Sequence, residues 1–278
     1  MAFIVRYIAR FRALKASLSV PSTPSASVFS GSDDDVLAVI PARYGSTRFP
    51  GKPLATLHGQ PMLWHVWQRV CQTPSVARVI IATDDERIAE VAQAFGAEVA
   101  MTDPQLPSGT DRVWAVAEKE TTFPWVLNVQ GDEPQVDPVD LATLITACRE
   151  TPWADVGTLA SPIHTQEETD DANIVKVVMD DRQRALYFSR FALPYHRASG
   201  RQVVGDVQRY RHVGVYCYRR PALARFTSQP ATELEQAEAL EQLRGLAIGL
   251  QYRVVLIPKA PAGVDCPEDL ARLHALEC

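Results

Sequence analysis

Residues 36–54 read VLAVIPARYGSTRFPGKPL, and the architecture is decided there. Residues 36–40 are a short apolar run, the mark of a strand buried on both faces of a parallel sheet. The run opens into a loop carrying Arg43, Arg48 and Lys52 among Gly45, Gly51, Pro41, Pro50 and Pro53. Ligands of open α/β sheets bind just past the carboxyl ends of such strands. Three cations on a turn that cannot be helical therefore make a seat for a polyphosphate. The loop is not of the GxxxxGK[ST] type, because Lys52 is followed by Pro53 and no Ser or Thr is placed to reach a metal. Side chains must hold the phosphates, Arg through a planar fork of donors and Lys as a compact charge. Solvated surface charge is the plainer reading, but it would not require glycines and prolines that fix the backbone. A dinucleotide-binding fingerprint is absent.

Outward from this loop, apolar runs alternate with amphipathic stretches. Residues 79–82 and 97–101 predict strands, as do residues 126–129. Helices are predicted after Pro61, across Ile88, Val91, Ala92 and Phe95 up to Gly96, and across Val113 and Val116. That rhythm predicts an α/β fold with a mostly parallel sheet covered by helices on both faces. The middle of the chain changes character. Strands at 174–179, 185–188 and 213–218 have fewer helices between them, and Asp180-Asp181 suits a tight connection. An antiparallel insertion is expected around 180–215, a usual place for a subunit contact. Thr232 and Glu235 are spaced as a capping box. A strand at 253–257 and a helix at 267–276 close the domain, 36–278.

The 278 residues are 46% hydrophobic and carry a formal net charge of -5, which argues against a nonspecific nucleic-acid binder while leaving room for a basic pocket. No apolar stretch is long enough for stable membrane insertion. Five scattered cysteines suit a reducing, cytoplasmic setting better than a disulfide framework. Residues 1–35 differ: Arg6, Arg10, Arg12 and Lys15 meet no acid before Asp33, and a Ser/Pro/Ala stretch follows. They read as a disordered extension, with an organellar transit segment as the competing reading.

Two acids follow strands. Asp132, in Gln130-Gly131-Asp132-Glu133-Pro134, is well placed for Mg²⁺, which takes carboxylate, water and phosphate oxygens. Asp265 precedes Cys266-Pro267 and reads equally as a metal carboxylate or a helix cap. Ser108-Gly109-Thr110 opens a helix, either as its cap or as a holder of a base or ribose edge. Arg190, Arg211 and His212 lie around the insertion, and their clustering suggests an anionic ligand for at least one of them. Glu238 and Gln242 lie four apart. No Ser-His-Asp order, GxSxG elbow or HExxH zinc motif occurs.

The chain resembles the 3-deoxy-manno-octulosonate cytidylyltransferases. The matching stretches are IPARYGSTRFPGKPL (40–54), ATDDERIA (82–89), SGTDR (108–112), NVQGDEP (128–134), YFSR (187–190), RHVGVYCY (211–218), LEQAEALEQLR (234–244) and GVDCPEDL (263–270). The resemblance implies a Rossmann-like nucleotidyltransferase sheet whose smaller antiparallel insertion serves sugar binding and dimerisation. It implies transfer of CMP from CTP to the anomeric hydroxyl of 3-deoxy-D-manno-octulosonate (Kdo), with release of pyrophosphate, for lipopolysaccharide synthesis. Arg43, Arg48, Lys52, Ser108 and Gln130 would bind the nucleotide, with Lys52 and Arg48 catalytic. Arg190, His212, Tyr216 and Gln242 would bind the sugar, while Asp132 and Asp265 would be catalytic carboxylates holding Mg²⁺. A homodimer is implied. The same chemistry on an 8-amino relative of Kdo, and a noncatalytic nucleotide sensor, are the alternatives.

Overall fold

The computed structural model describes residues 35–45, 49–195 and 208–276; the expected extension and Arg48 lie outside them. The strands are β1 (Val36–Ala42), β2 (Thr56–Leu57), β3 (Gln60–Pro61), β4 (Val76–Thr83), β5 (Glu98–Met101), β6 (Trp125–Val129), β7 (Val156–Pro162), β8 (Lys176–Met179), β9 (Ala185–Ser189), β10 (Tyr210–Arg219) and β11 (Tyr252–Leu256). The helices are α1 (Met62–Cys71), α2 (Glu86–Ala94), α3 (Gly109–Ala117), α4 (Pro138–Glu150), α5 (Gln166–Asp170), α6 (Arg220–Thr227), α7 (Glu233–Glu238), α8 (Gln242–Ala247) and α9 (Pro267–Leu276). One large sheet runs β11-β7-β10-β6-β1-β4-β5, with the β8–β9 hairpin joined to β10.

Every residue of β1 is buried, and its alternation serves both faces. Val36, Ala38 and Ile40 point into one apolar cluster with Leu63 and Val66 of α1, Ile88 of α2 and Leu144 of α4. Leu37 and Val39 point into the other, with Val113 of α3, Phe226 of α6 and Leu243 of α8. A strand covered twice has no polar face, which explains its unbroken apolar run. Truncating a fully buried residue here, such as Leu63→Ala, would cost about 2–5 kcal/mol.

β1 pairs in parallel with β4 on one side and β6 on the other. The connections after β1 and β6 leave in different directions, and this divergence opens the crevice in which such sheets bind ligands. The mostly parallel expectation holds, with one addition in the centre of the sheet. β10 lies antiparallel between β6 and β7, so residues 210–215 belong to the main sheet rather than to the insertion. The antiparallel part of the insertion is the β8–β9 hairpin, turned at residues 180–184 by Asp180 N–H donating to Arg184 O at 3.0 Å.

Sequence reading passed over β7, VGTLASP, because Gly157, Thr158 and Ser161 interrupt its apolar pattern. Those residues are packing choices. A Cβ on Gly157 would overlap Cys148 Sγ of α4, so glycine lets the helix lie against the strand. The capping box at Thr232 and Glu235 forms, and Glu235 then pairs with buried Arg244, whose Nε donates to Oε2 at 2.8 Å.

Candidate active site

Two clefts open along the carboxyl ends of β1 and β6. The smaller, about 220 Å³, is lined by Arg43 and Lys52 from the β1 loop, Gln130 and Gly131 after β6, and Asp132 and Asp265. The larger, about 780 Å³, takes His212 and Tyr216 from β10, Gln242 from α8, and Arg211, Glu133 and Asn173. Asp132 and Asp265 line both. The larger volume falls within the usual range for a small-molecule site.

Lys52 stands at the junction. Its Nζ donates to Asp132 Oδ2 at 2.6 Å and to Val264 O at 2.9 Å, and lies 3.8 Å from Asp265 Oδ1. Its side chain is only 12% exposed, against 33% and 54% for the two acids. Val264 N–H donates to Asp132 O at 3.0 Å, joining the two acid-bearing segments. Asp269 caps the start of α9, its Oδ2 accepting from Asp265 N–H and Cys266 N–H at 2.8 and 3.0 Å. The open choice for Asp265 is thereby narrowed: its carboxylate faces the cleft and Lys52.

The β1 loop is pinned at both ends. Gly51 N–H donates to Tyr44 O at 2.9 Å, and Gly51 adopts φ 72°, a conformation that favours glycine. The Tyr44 ring carries the Arg87 guanidinium 3.4 Å over its centroid, while Arg87 Nε also donates to Asp85 Oδ1 at 2.9 Å. The ATDDERIA segment therefore braces the cationic loop from behind.

Ser108 acts as a helix cap. Its Oγ accepts from Asp111 N–H at 3.2 Å and donates to Asp111 Oδ2 at 2.7 Å. Gln130 is close by: its Oε1 lies 3.5 Å from where a Cβ on Gly109 would sit, and its Nε2 donates to Asn128 Oδ1 at 2.9 Å.

On the other side, β10 carries a bulge between Val213 and Tyr216 opposite Leu159 and Thr158. Thr158 fills it. Its hydroxyl lies 2.9 Å from Val215 O and 2.9 Å from His212 Nε2. Thr158 thereby fixes the orientation of the His212 ring through Nε2, with donor and acceptor set by the tautomer. Burial pulls the His212 pKa down to about 3. At neutral pH this histidine therefore offers hydrogen bonding rather than positive charge.

Arg190, expected on the sugar side, has its guanidinium on backbone carbonyls. Nε donates to Glu238 O at 2.7 Å, Nη1 to Ala172 O at 3.1 Å and Nη2 to Ala239 O at 3.3 Å. A cation on the last carbonyls of α7 is a favourable helix terminus. Ser189 Oγ and Arg190 N–H both donate to Glu238, at 2.6 and 2.9 Å. YFSR is thus a clamp that holds α7, and with it the approach to Gln242.

Lys176 escaped sequence reading altogether. It is fully buried, and its Nζ donates to Asp171 O, Ile174 O and Arg190 O at 2.7, 2.8 and 3.0 Å. The segment it gathers forms a wall of the larger cleft, with Val175 O also accepting from His212 N–H at 2.8 Å. A lone lysine in an apolar strand was the available signal. Glu133, which the sequence ranks behind Asp132 as a metal ligand, lies beside it in the larger cleft, where burial and the adjacent Asp132 push its carboxyl up to about 8.

Two hard carboxylates suit Mg²⁺, which keeps waters and substrate phosphates as its remaining ligands. The described residues contain no group of three or more His, Cys, Asp or Glu able to hold an ion by themselves. None of the described helices is long and apolar enough to cross a membrane.

The cytidylyltransferase family profile matches residues 37–254. A 3-deoxy-manno-octulosonate cytidylyltransferase of Syntrophotalea carbinolica is 44% identical over 244 residues, covering 86% of this chain and 97% of its own. That of Bdellovibrio bacteriovorus is 44% identical over 241 residues, with 87% and 97% covered. A solved CMP:2-keto-3-deoxy-manno-octonic acid synthetase complexed with CTP superposes with TM-score 0.82 at 42% identity, covering 87% of this chain and 98% of that one. A cationic loop, two shared carboxylates and this likeness along nearly the whole of those proteins agree: the chain belongs to the cytidylyltransferase family, as one of its 3-deoxy-manno-octulosonate cytidylyltransferases.

Proposed function

We propose that this enzyme transfers CMP from CTP to the anomeric hydroxyl of Kdo, a step of lipopolysaccharide synthesis, in a Mg²⁺-dependent reaction in the cytoplasm. The observation that carries the reading is the meeting of a cation-lined cleft and a polyhydroxyl-sized cleft at Asp132 and Asp265.

Arg43 and Lys52 hold the triphosphate, and Arg48 joins them from the same loop. Gln130, beside the capped start of α3 at Ser108, lies on the nucleoside side. Tyr216, Gln242 and the Nδ1 of neutral His212 bind sugar hydroxyls, while Arg190 and Lys176 position that wall from behind. The sugar oxygen forms a bond to the α-phosphorus as the bond to the β-phosphate oxygen breaks. Asp132 and Asp265 would hold Mg²⁺, which would supply Lewis-acid charge stabilisation for the transferring group. Lys52 and the loop arginines offset charge on departing pyrophosphate, so positioning and electrostatics suffice without a covalent intermediate.

A homodimer through the insertion fits its exposed apolar residues, Leu186, Phe191 and Tyr195, the last two 73% and 81% exposed. Pyrophosphate release should be measured for CTP, UTP and ATP against Kdo and its 8-amino relative, with and without Mg²⁺. Turnover of CTP with Kdo alone of these pairs, lost on chelation, is the expected result. Tight CTP binding with no release for any sugar would contradict it.

A further inference from the structure

Glu133 lines the larger cleft beside Asp132, and the mechanism above gives it no task. Its Oε2 is buried and has no hydrogen-bond partner among the described residues. Such atoms are rare, because an orphaned polar atom gives up its hydration and gains nothing for it. The surrounding structure nevertheless holds it firmly. Glu133 N–H donates to Gln130 O at 3.3 Å, and Glu133 O accepts from Val136 N–H at 3.1 Å, so a tight turn fixes its backbone. Gly263 leaves room for the carboxyl, since a Cβ there would come within 3.3 Å of Oε1.

The partner this oxygen lacks must be a hydrogen-bonding group that enters the cleft. A carboxylate is excluded by Asp132 and Asp265 alongside. A hydroxyl suits the position whichever protonation state Glu133 takes, because it can both donate and accept. We propose that Glu133 is a specificity-determining residue of the sugar site, its Oε2 accepting a hydrogen bond from a non-anomeric hydroxyl of the acidic sugar. This rests on the reading of the larger cleft as the sugar site.

Such a role has an unusual signature, in which removing the acceptor strengthens the free protein and weakens sugar binding. For full-length Glu133→Met the expected results are a KM for Kdo raised about thirtyfold and a KM for CTP within about twofold of the starting value. The melting temperature of the free protein should rise by about a few degrees. Glu133→Gln keeps an accepting oxygen and should raise the Kdo KM about fivefold. Among Kdo analogues deoxygenated singly at C4, C5, C7 or C8, one should serve both the starting enzyme and Glu133→Met equally poorly. An unchanged Kdo KM overturns the proposal, as does a lowered melting temperature with equal losses for both substrates. So does a loss confined to kcat and repaired by more Mg²⁺, which would mark a metal ligand. If the unaltered enzyme releases no pyrophosphate from CTP and Kdo, the sugar-site reading itself fails; a working enzyme with an indifferent Glu133 sinks only this inference.

Discussion

The two halves of the site are built by different means. On the β1–β6 side, functional groups hang from the ends of parallel strands on short loops shaped by glycine and proline. On the β8–β10 side, the groups stand on an antiparallel strand with a bulge and on short helices, held by buried polar side chains that reach across the chain. Lys176 gathers three carbonyls, Arg190 clamps the end of α7, and Thr158 fills the bulge. The first design places charge where the reaction needs it. The second shapes a selective wall. Substitutions in the first should therefore strike turnover, and substitutions in the second should strike sugar affinity and stability.

The largest expected effect is Asp132→Asn, which should lower kcat at least about a hundredfold at saturating Mg²⁺. Steady-state pyrophosphate release checks it, and a near-normal kcat would break the contrast. Lys52→Ala should follow, with kcat/KM for CTP down about thirtyfold through loss of a charge-assisted contact. The same assay at varied CTP reads that loss; unchanged CTP kinetics would show that the loop is not the phosphate seat.

Across the junction, Lys176→Met leaves three carbonyls short of a donor and should cost about 3 kcal/mol of stability. Urea unfolding measures that cost. The KM for Kdo should rise severalfold while the KM for CTP stays put, which sharpens the division between the halves; equal losses for both substrates would blur it. The last effect concerns pH. His212 has an ordinary pKa near 6.5 when unfolded and about 3 when folded, so the unfolded chain binds the extra proton between those values. Its contribution to stability is greatest above pH 6.5 and shrinks as pH falls toward 3, by up to about 1.4 kcal/mol per unit. His212→Gln should flatten the wild-type dependence of unfolding free energy across that window. An unchanged slope would mean that His212 is not buried in its neutral form.

The same division explains what could be read without coordinates. Arg43, Lys52 and Asp132 announced themselves because their neighbours in sequence fix them, a strand leading into a Gly/Pro loop or a Gly-bounded turn. Asp265 stayed ambiguous because its rival role, capping α9, depended on a residue four positions on: Asp269 takes that task. The carbonyl contacts of Arg190 left no local signal because its acceptors, in Ala172, Glu238 and Ala239, are remote in the chain. β7 was missed because Gly157 serves a helix rather than its own strand. The central antiparallel strand β10 was legible as a strand but not as the link between β6 and β7, since pairing across the sheet leaves no local signal.

The claim on which all of this depends is that nucleotide and sugar meet at two shared carboxylates. Crystals grown with CTP and Mn²⁺ in place of Mg²⁺ would test it through the anomalous signal of the ion. The expected result is a peak between Asp132 and Asp265, with the triphosphate lying along Arg43 and Lys52 and its α-phosphorus facing the larger cleft. A peak remote from both carboxylates, or a triphosphate bound away from the β1 loop, would contradict it.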